Sequence, residues 1–184
     1  MFGARGKAGS PRGGSLRVPS DRNGRMETVT LRRTEDSDLP ILFEFESDPK
    51  AARMAAFPPE ASRDPEAFYT HWRQRLASPA DVCRTVLVDG HRAGVVMKFE
   101  FEGDPSVAYW LGREFWGRGI ATRALSTLLE EVRERPLYAR VAHDNRGSIR
   151  VLEKCGFRKS GGDRRFAQAR GEDLDEFVYR LDRS

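Results

Sequence analysis

The chain has 184 residues, 39% hydrophobic and 33% charged, which suits one domain with its own core plus a short tail. No apolar run approaches the roughly 18 residues of a membrane helix. Cys83 and Cys155 stand alone and His71, His91 and His143 do not cluster, so a disulfide framework, a CxxC site and a structural zinc are all excluded. The net charge of +4 invites a nucleic-acid reading, but residues 1–25 carry six basic side chains against one acid, and the rest carries 26 basic and 27 acidic ones. A nucleic-acid binder would therefore rest on the tail alone.

Residues 1–25 hold six Gly, two Pro and three Ser, and read as a disordered basic tail. Their glycine spacing destroys the amphipathic helix of a transit peptide, and no apolar segment supports secretion. Translation from Met26, directly before the first strand pattern, is an alternative start. The folded domain is expected over residues 26–184.

From Met26 the elements alternate. Thr28–Arg32 reads as a strand. The acids and hydroxyls of Thr34–Asp38 supply caps for a helix over 39–47. A loop with Pro58-Pro59 follows, then Asp64-Pro65 opens a helix whose Phe68, Trp72 and Leu76 share one face. Arg84–Asp89 and Arg92–Glu100 form a hairpin joined at Asp89-Gly90. Val107–Leu111 is the next strand. A long helix buries Ala121, Leu125, Leu128 and Val132, and Pro136 limits it. Leu137–Val141 is a strand, Asn145–Cys155 a helix closed by Gly156, and two strands finish the chain near 157–160 and 176–181. The pattern is α/β or α+β with a mixed sheet.

The chemistry concentrates in Tyr109-Trp-Leu-Gly-Arg-Glu-Phe-Trp-Gly-Arg-Gly-Ile-Ala-Thr, a strand, a glycine turn and a helix start. Free backbone N–H groups and the helix dipole attract phosphate there, and Gly117 and Gly119 let the backbone approach an anion. Arg113, Arg118 and Arg123 add positive charge. Alone, a Gly-x-Gly is a plain strand-to-helix turn. It is no P-loop, since no Gly-Lys-Ser/Thr follows, and Thr122 replaces the third glycine of a dinucleotide fingerprint.

A second segment, Asn145-Arg-Gly-Ser-Ile-Arg-Val-Leu-Glu-Lys-Cys-Gly-Phe157, lies 26 residues beyond Gly119. Together the two resemble the GNAT superfamily of acetyl-CoA-dependent N-acetyltransferases, with its Q/R-x-x-G-x-G/A loop and N-x-x-S-x-x-x-x-x-K-x-G-F element. The Tyr-Trp-Leu-Gly and Trp-Gly-x-Gly-x-Ala-Thr runs look most like ribosomal-protein-alanine N-acetyltransferases. The resemblance implies a strongly bent mixed sheet, splayed between its fourth and fifth strands and flanked by about four helices. It implies acetyl-CoA as cosubstrate, with Tyr109, Trp110 and Leu111 along the pantetheine arm. Arg113, Trp116, Gly117, Arg118, Gly119, Ile120, Ala121 and Thr122 would surround the pyrophosphate, and Asn145 and Ser148 would lie near the thioester. Met54, Phe57 and Phe68 would wall the acceptor site.

Three positions depart from the family. Glu114 occupies the Q/R position, Leu152 the place of a tyrosine acid, and Ser106 the place of a glutamate base. Glu100 and Glu102 are the first candidates for the base, sharing a strand face with Lys98, and a solvated face is their competing reading. His143 at a strand end has a suitable intrinsic pKa but also reads as a turn histidine. Ser148 is a candidate to orient the thiolate or a plain helix residue, and Asn145 a ligand or an N-cap. The expectation is a cytoplasmic enzyme, monomeric or homodimeric, that moves an acetyl group directly to a primary amine on a protein N-terminus or a small molecule. No metal, nucleic acid or membrane partner is expected. The alternative is a catalytically silent acyl-CoA-binding domain.

Overall fold

The computed structural model describes residues 27–183, so the basic segment 1–25 and the alternative start at Met26 lie outside the described residues. Seven strands form one sheet in the order β1-β2-β3-β4-β5-β7-β6. The strands are β1 (Val29–Arg33), β2 (Val82–Val88), β3 (His91–Phe101), β4 (Asp104–Leu111), β5 (Leu137–Ala142), β6 (Arg158–Ala167) and β7 (Glu172–Leu181). Five α-helices are described: α1 (Leu39–Ser47), α2 (Pro49–Ala55), α3 (Pro65–Ala77), α4 (Ile120–Glu131) and α5 (Arg146–Lys154). None among the described residues is long and apolar enough to cross a membrane.

Strand alternation divides the core. Val86, Val88, Val96, Val107 and Leu111 face α4 and α5, while Cys83, Val95, Met97, Phe99 and Trp110 face α1 and α3. On α4 the buried stripe is Ile120, Ala124, Leu125 and Leu128, which turns Ala121 away from the core centre expected for it. The α4 helix stops at Glu131, five residues ahead of Pro136, and Val132 is buried in the core.

Two elements differ from expectation. Asp48 accepts hydrogen bonds from the Lys50 and Ala51 N–H groups, and Pro49 occupies the first turn, so α2 forms where a loop was expected. The closing hairpin is also much longer than the expected 157–160 and 176–181. β6 lacks alternation, with all but its last residue exposed, and exists because β7 supplies its ladder.

What positions the site is the junction of β4 and β5. They run parallel and meet at a single register pair, Ser106 with Tyr138. Beyond it the strands part toward their carboxyl ends, and the β5-facing edge of β4 has no strand partner. Every other neighbouring pair of strands is antiparallel.

Candidate acyl-transfer cleft

The parting of β4 and β5 opens a cavity of about 950 Å³. Its walls include Val107–Leu111 of β4, Ala139–Ala142 of β5, the start of α4 and the start of α5. Helices that follow diverging parallel strands deliver their N-terminal N–H groups to the opening between them.

At the α4 end, Gly117 and Gly119 adopt φ of 73° and 70°, the left-handed region open to glycine. Gly119 is the N-cap and provides no side-chain cap, so the first-turn N–H groups of α4 remain available. A Cβ at Gly117 would meet nothing within 4 Å, so the backbone there is open to a ligand. Ile120, Ala121 and Thr122 line the same wall, and Trp116 beside them donates its indole N–H to the Leu111 carbonyl at 3.0 Å.

The expected arginines are committed elsewhere. Arg113 pairs with Asp48 at 2.9 Å, and Arg118 and Arg123 both pair with the buried Glu27. None of the three is among the residues that line the cleft. Five cations do line it, and two of them, Arg150 and Lys154, lie one turn apart on α5, while Arg75, Arg140 and Arg165 are paired with acids. Sequence reasoning missed Arg150 and Lys154, although their i,i+4 spacing behind Asn145-x-x-Ser148 places them on one helix face.

At the α5 end Asn145 Oδ1 accepts the Ser148 N–H at 3.1 Å, the N-cap role, while its amide donates to the Met54 carbonyl at 3.4 Å. Ser148 Oγ lies 2.6 Å from the Tyr109 hydroxyl. Burial pushes the Tyr109 phenol well above its usual pKa. Leu152, in place of a tyrosine, is 1% exposed and packs in the core beneath. Cys155 donates to the Thr122 carbonyl, and burial raises its thiol. Burial likewise pushes Cys83 up to about 11.

On the α1–α3 side the cavity is walled by Met54, Phe57, Trp72, Phe99 and Trp110, whose indole N–H donates to the Phe45 carbonyl at 2.8 Å. Phe68, expected here, is 1% exposed and packs edge-on against Phe43 with ring centroids 5.1 Å apart, in the core between α1 and α3. A carboxylate that sequence reasoning missed, Glu46, lines this side.

The first candidates for the base face elsewhere. Alternation does put Glu100 on one face with Lys98, but the cleft takes the opposite face, through Met97, Phe99 and Phe101. Glu102 is not on the strand. It sits in the β3–β4 turn at φ 54° and pairs with Arg140 at 3.0 Å. His143 stacks edge-on against Phe177, and its buried Nδ1 has no hydrogen-bond partner among the described residues, away from the cleft lining.

A cleft between two parting parallel strands, flanked by two helix N-termini and open to a chamber on the far face, is the architecture that the resemblance to the acetyltransferases implies. The Acetyltransferase (GNAT) domain profile matches residues 28–158, and the chain belongs to that family. An N-acetyltransferase of Bacillus licheniformis, p20, is 24% identical over 165 residues, covering 84% of this chain and 93% of its own. Ribosomal-protein-alanine N-acetyltransferase from Brucella melitensis superposes with a TM-score of 0.71 at 24% identity, over 84% of this chain and 99% of that one. Spermidine N-acetyltransferase from Vibrio cholerae, in complex with CoA and spermine, gives 0.70 at 17% identity, over 84% and 95%.

Proposed function

We propose that the protein transfers the acetyl group of acetyl-CoA directly to a primary amine, with no acyl-enzyme. The observation that carries this reading is the single β4–β5 pair at Ser106 and Tyr138, beyond which one continuous cavity links the two helix N-termini to the α1–α3 side. A long ligand with an anionic end and a reactive end fits such a passage. CoA in the Vibrio cholerae neighbour supports the choice of ligand.

In this reading the α4 first-turn N–H groups and Gly117 hold the pyrophosphate, with Arg150 and Lys154 supplying charge. The unpartnered edge of β4, over Tyr109–Leu111, receives the amides of the pantetheine arm. The amine attacks the thioester carbon, the C–N bond forms, and the C–S bond breaks. The leaving thiolate needs a proton, and the Tyr109–Ser148 hydroxyl pair at the start of α5 is the proposed donor. Direct transfer is favoured because the thiols of Cys83 and Cys155 are both held in their protonated forms by burial.

An acetyl-CoA titration followed by a thiol-release screen over peptides and small amines tests the reading. Binding with turnover supports it, binding without turnover on any amine favours a silent acyl-CoA-binding domain, and absence of binding removes both.

A further inference from the structure

Helix α1 carries one acid on its buried stripe. Leu39, Leu42 and Phe45 enter the core, and Glu46 follows on the same side at 5% exposure. A carboxylate in that position is costly unless something engages it. Ser62 Oγ donates to Oε2 at 2.6 Å, from the short turn before α3, and among the described residues Glu46 enters no salt bridge. The side chain instead lines the cleft, beside Trp72 and opposite Phe99.

The charged groups around Glu46 are few. From α3, Arg75 bears on it electrostatically, but Arg75 is bound to Asp81 at 3.1 Å and lies over the Phe99 ring at 4.5 Å. His71 also lines the cleft, and burial and Arg75 lower its pKa, so it is neutral at pH 7. The facing strand β3 offers Met97 and Phe99, while its Lys98 points to Glu134 on the other face. Asp48 beyond the end of α1 is engaged by Arg113.

We propose that Glu46 receives the acceptor's ammonium group, removes its proton, and thereby selects acceptors that carry a single primary amine on an apolar body. This inference rests on the acetyltransferase reading above. The carboxylate takes H⁺ from R–NH₃⁺ to give R–NH₂ and a neutral carboxyl. The nitrogen lone pair then forms the C–N bond as the C–S bond of the thioester breaks, and the second proton leaving nitrogen replaces the one that the Tyr109–Ser148 pair gives to the thiolate. Glu46 returns its proton to solvent when product leaves. Two further observations agree. Burial holds the Glu46 pKa up at about 7, against the opposing pull of Ser62, Trp72 and Arg75, which suits a base working near neutrality. The only other acid on the described lining, Glu176, is bound to Arg140 at 3.4 Å and Arg165 at 3.1 Å. A polyamine would find one available carboxylate and a surplus of arginines.

The experiment measures thiol release from acetyl-CoA with 2-phenylethylamine, alanyl-phenylalanine amide and spermidine, from pH 5.5 to 9, on wild type, E46Q and E46D. The two monoamines separate a small-molecule acceptor from a peptide N-terminus. The expected result is transfer to at least one monoamine with kcat/KM tenfold or more above spermidine, and an acidic limb near pH 7. E46Q should lose roughly a hundredfold in kcat together with that limb, and E46D should keep the limb at reduced kcat. Acetyl-CoA affinity, read separately by titration, should stay within twofold in both variants. A limb that survives in E46Q, a preference for spermidine, or no transfer to either monoamine overturns the proposal. Loss of acetyl-CoA binding by the wild type would instead overturn the acetyltransferase reading beneath it.

Discussion

The phenolic oxygen of Tyr109 on β4 lies 2.6 Å from Oγ of Ser148 in the first turn of α5, a hydrogen bond that ties β4 to α5 across the cleft lining. Burial drives the Tyr109 pKa upward, so the phenol keeps its proton throughout the working range and remains a hydrogen-bond partner of Ser148. Ser148→Ala and Tyr109→Phe are each expected to lower kcat by roughly 10- to 100-fold, with KM for acetyl-CoA within threefold. The double variant should be hardly worse than the poorer single one, since each change disables the same relay. Single-turnover rates check this, and additive losses would show two independent roles.

Gly117 is expected to separate cofactor binding from folding. Its φ of 73° and the empty space around its Cβ position mean that a side chain strains the backbone without striking a neighbour. Gly117→Glu puts a carboxylate where the α4 N-terminus invites a phosphate, so acetyl-CoA affinity should fall at least a hundredfold. The melting temperature should drop by only a few degrees, since the strain is about 1–2 kcal/mol. Titration calorimetry beside thermal melts measures both, and micromolar affinity retained by the variant would remove the loop from the binding site.

The backbone geometry around the cleft was legible because the two glycines and the Asn-x-x-Ser step act through backbone, where residue type and conformation are tightly linked. The Asp64-Pro65 opening of α3 was legible for the same reason, and Asp48-Pro49 carried the same signature before α2. The side-chain partners were not legible. Arg118 and Arg123 meet Glu27, some 91 and 96 residues distant in sequence, and no local pattern announces that pairing. Alternation correctly grouped Glu100 with Lys98 but says nothing about which sheet face the cleft occupies, and Glu102 escaped the strand because the turn begins there. Glu46 left one trace: it falls four residues after Leu42, on the stripe that hydrophobic side chains define.

Gly94 is expected to be the most sensitive glycine of the sheet. At φ 153° in β3, beside the β2–β3 irregularity, a Cβ would collide with the Trp110 carbonyl oxygen and with Leu111 on β4. Trp110 and Leu111 also line the cleft, so any shift of β4 that relieves the collision alters the cleft wall. Gly94→Ala should cost about 3 kcal/mol or more and cut soluble yield, while Gly90→Ala in the adjacent turn, with nothing within 4 Å, should cost only about 1 kcal/mol. Urea unfolding of the two variants measures the contrast.

Glu46 also makes stability depend on pH, in a direction opposite to that of an ordinary paired carboxylate. Its pKa is held near 7 in the folded protein against an ordinary value of 4.5, because burial disfavours the charge. Below about pH 4.5 the group is protonated in both states and contributes no difference. Between 4.5 and 7 the unfolded chain releases the proton while the folded chain keeps it, so stability declines as pH rises, and above 7 the loss is complete. The loss amounts to about 3 kcal/mol. E46Q has no charge to bury and retains an amide oxygen for the Ser62 hydroxyl. Its melting temperature should therefore exceed that of the wild type by roughly 6–12 °C at pH 8.5 and match it near pH 4.5. Asp38 pulls the other way at lower pH, since Arg32, Arg92 and Thr85 hold its carboxylate below the usual range, but it is common to both proteins and cancels in the difference. A wild-type–E46Q difference that stays constant across that interval would mean that Glu46 is ionised at all of these pH values, and the raised pKa would be wrong. A difference that opens between pH 5 and 7, in a variant that has lost turnover, would identify stability given up at this position for an acid that the chemistry uses.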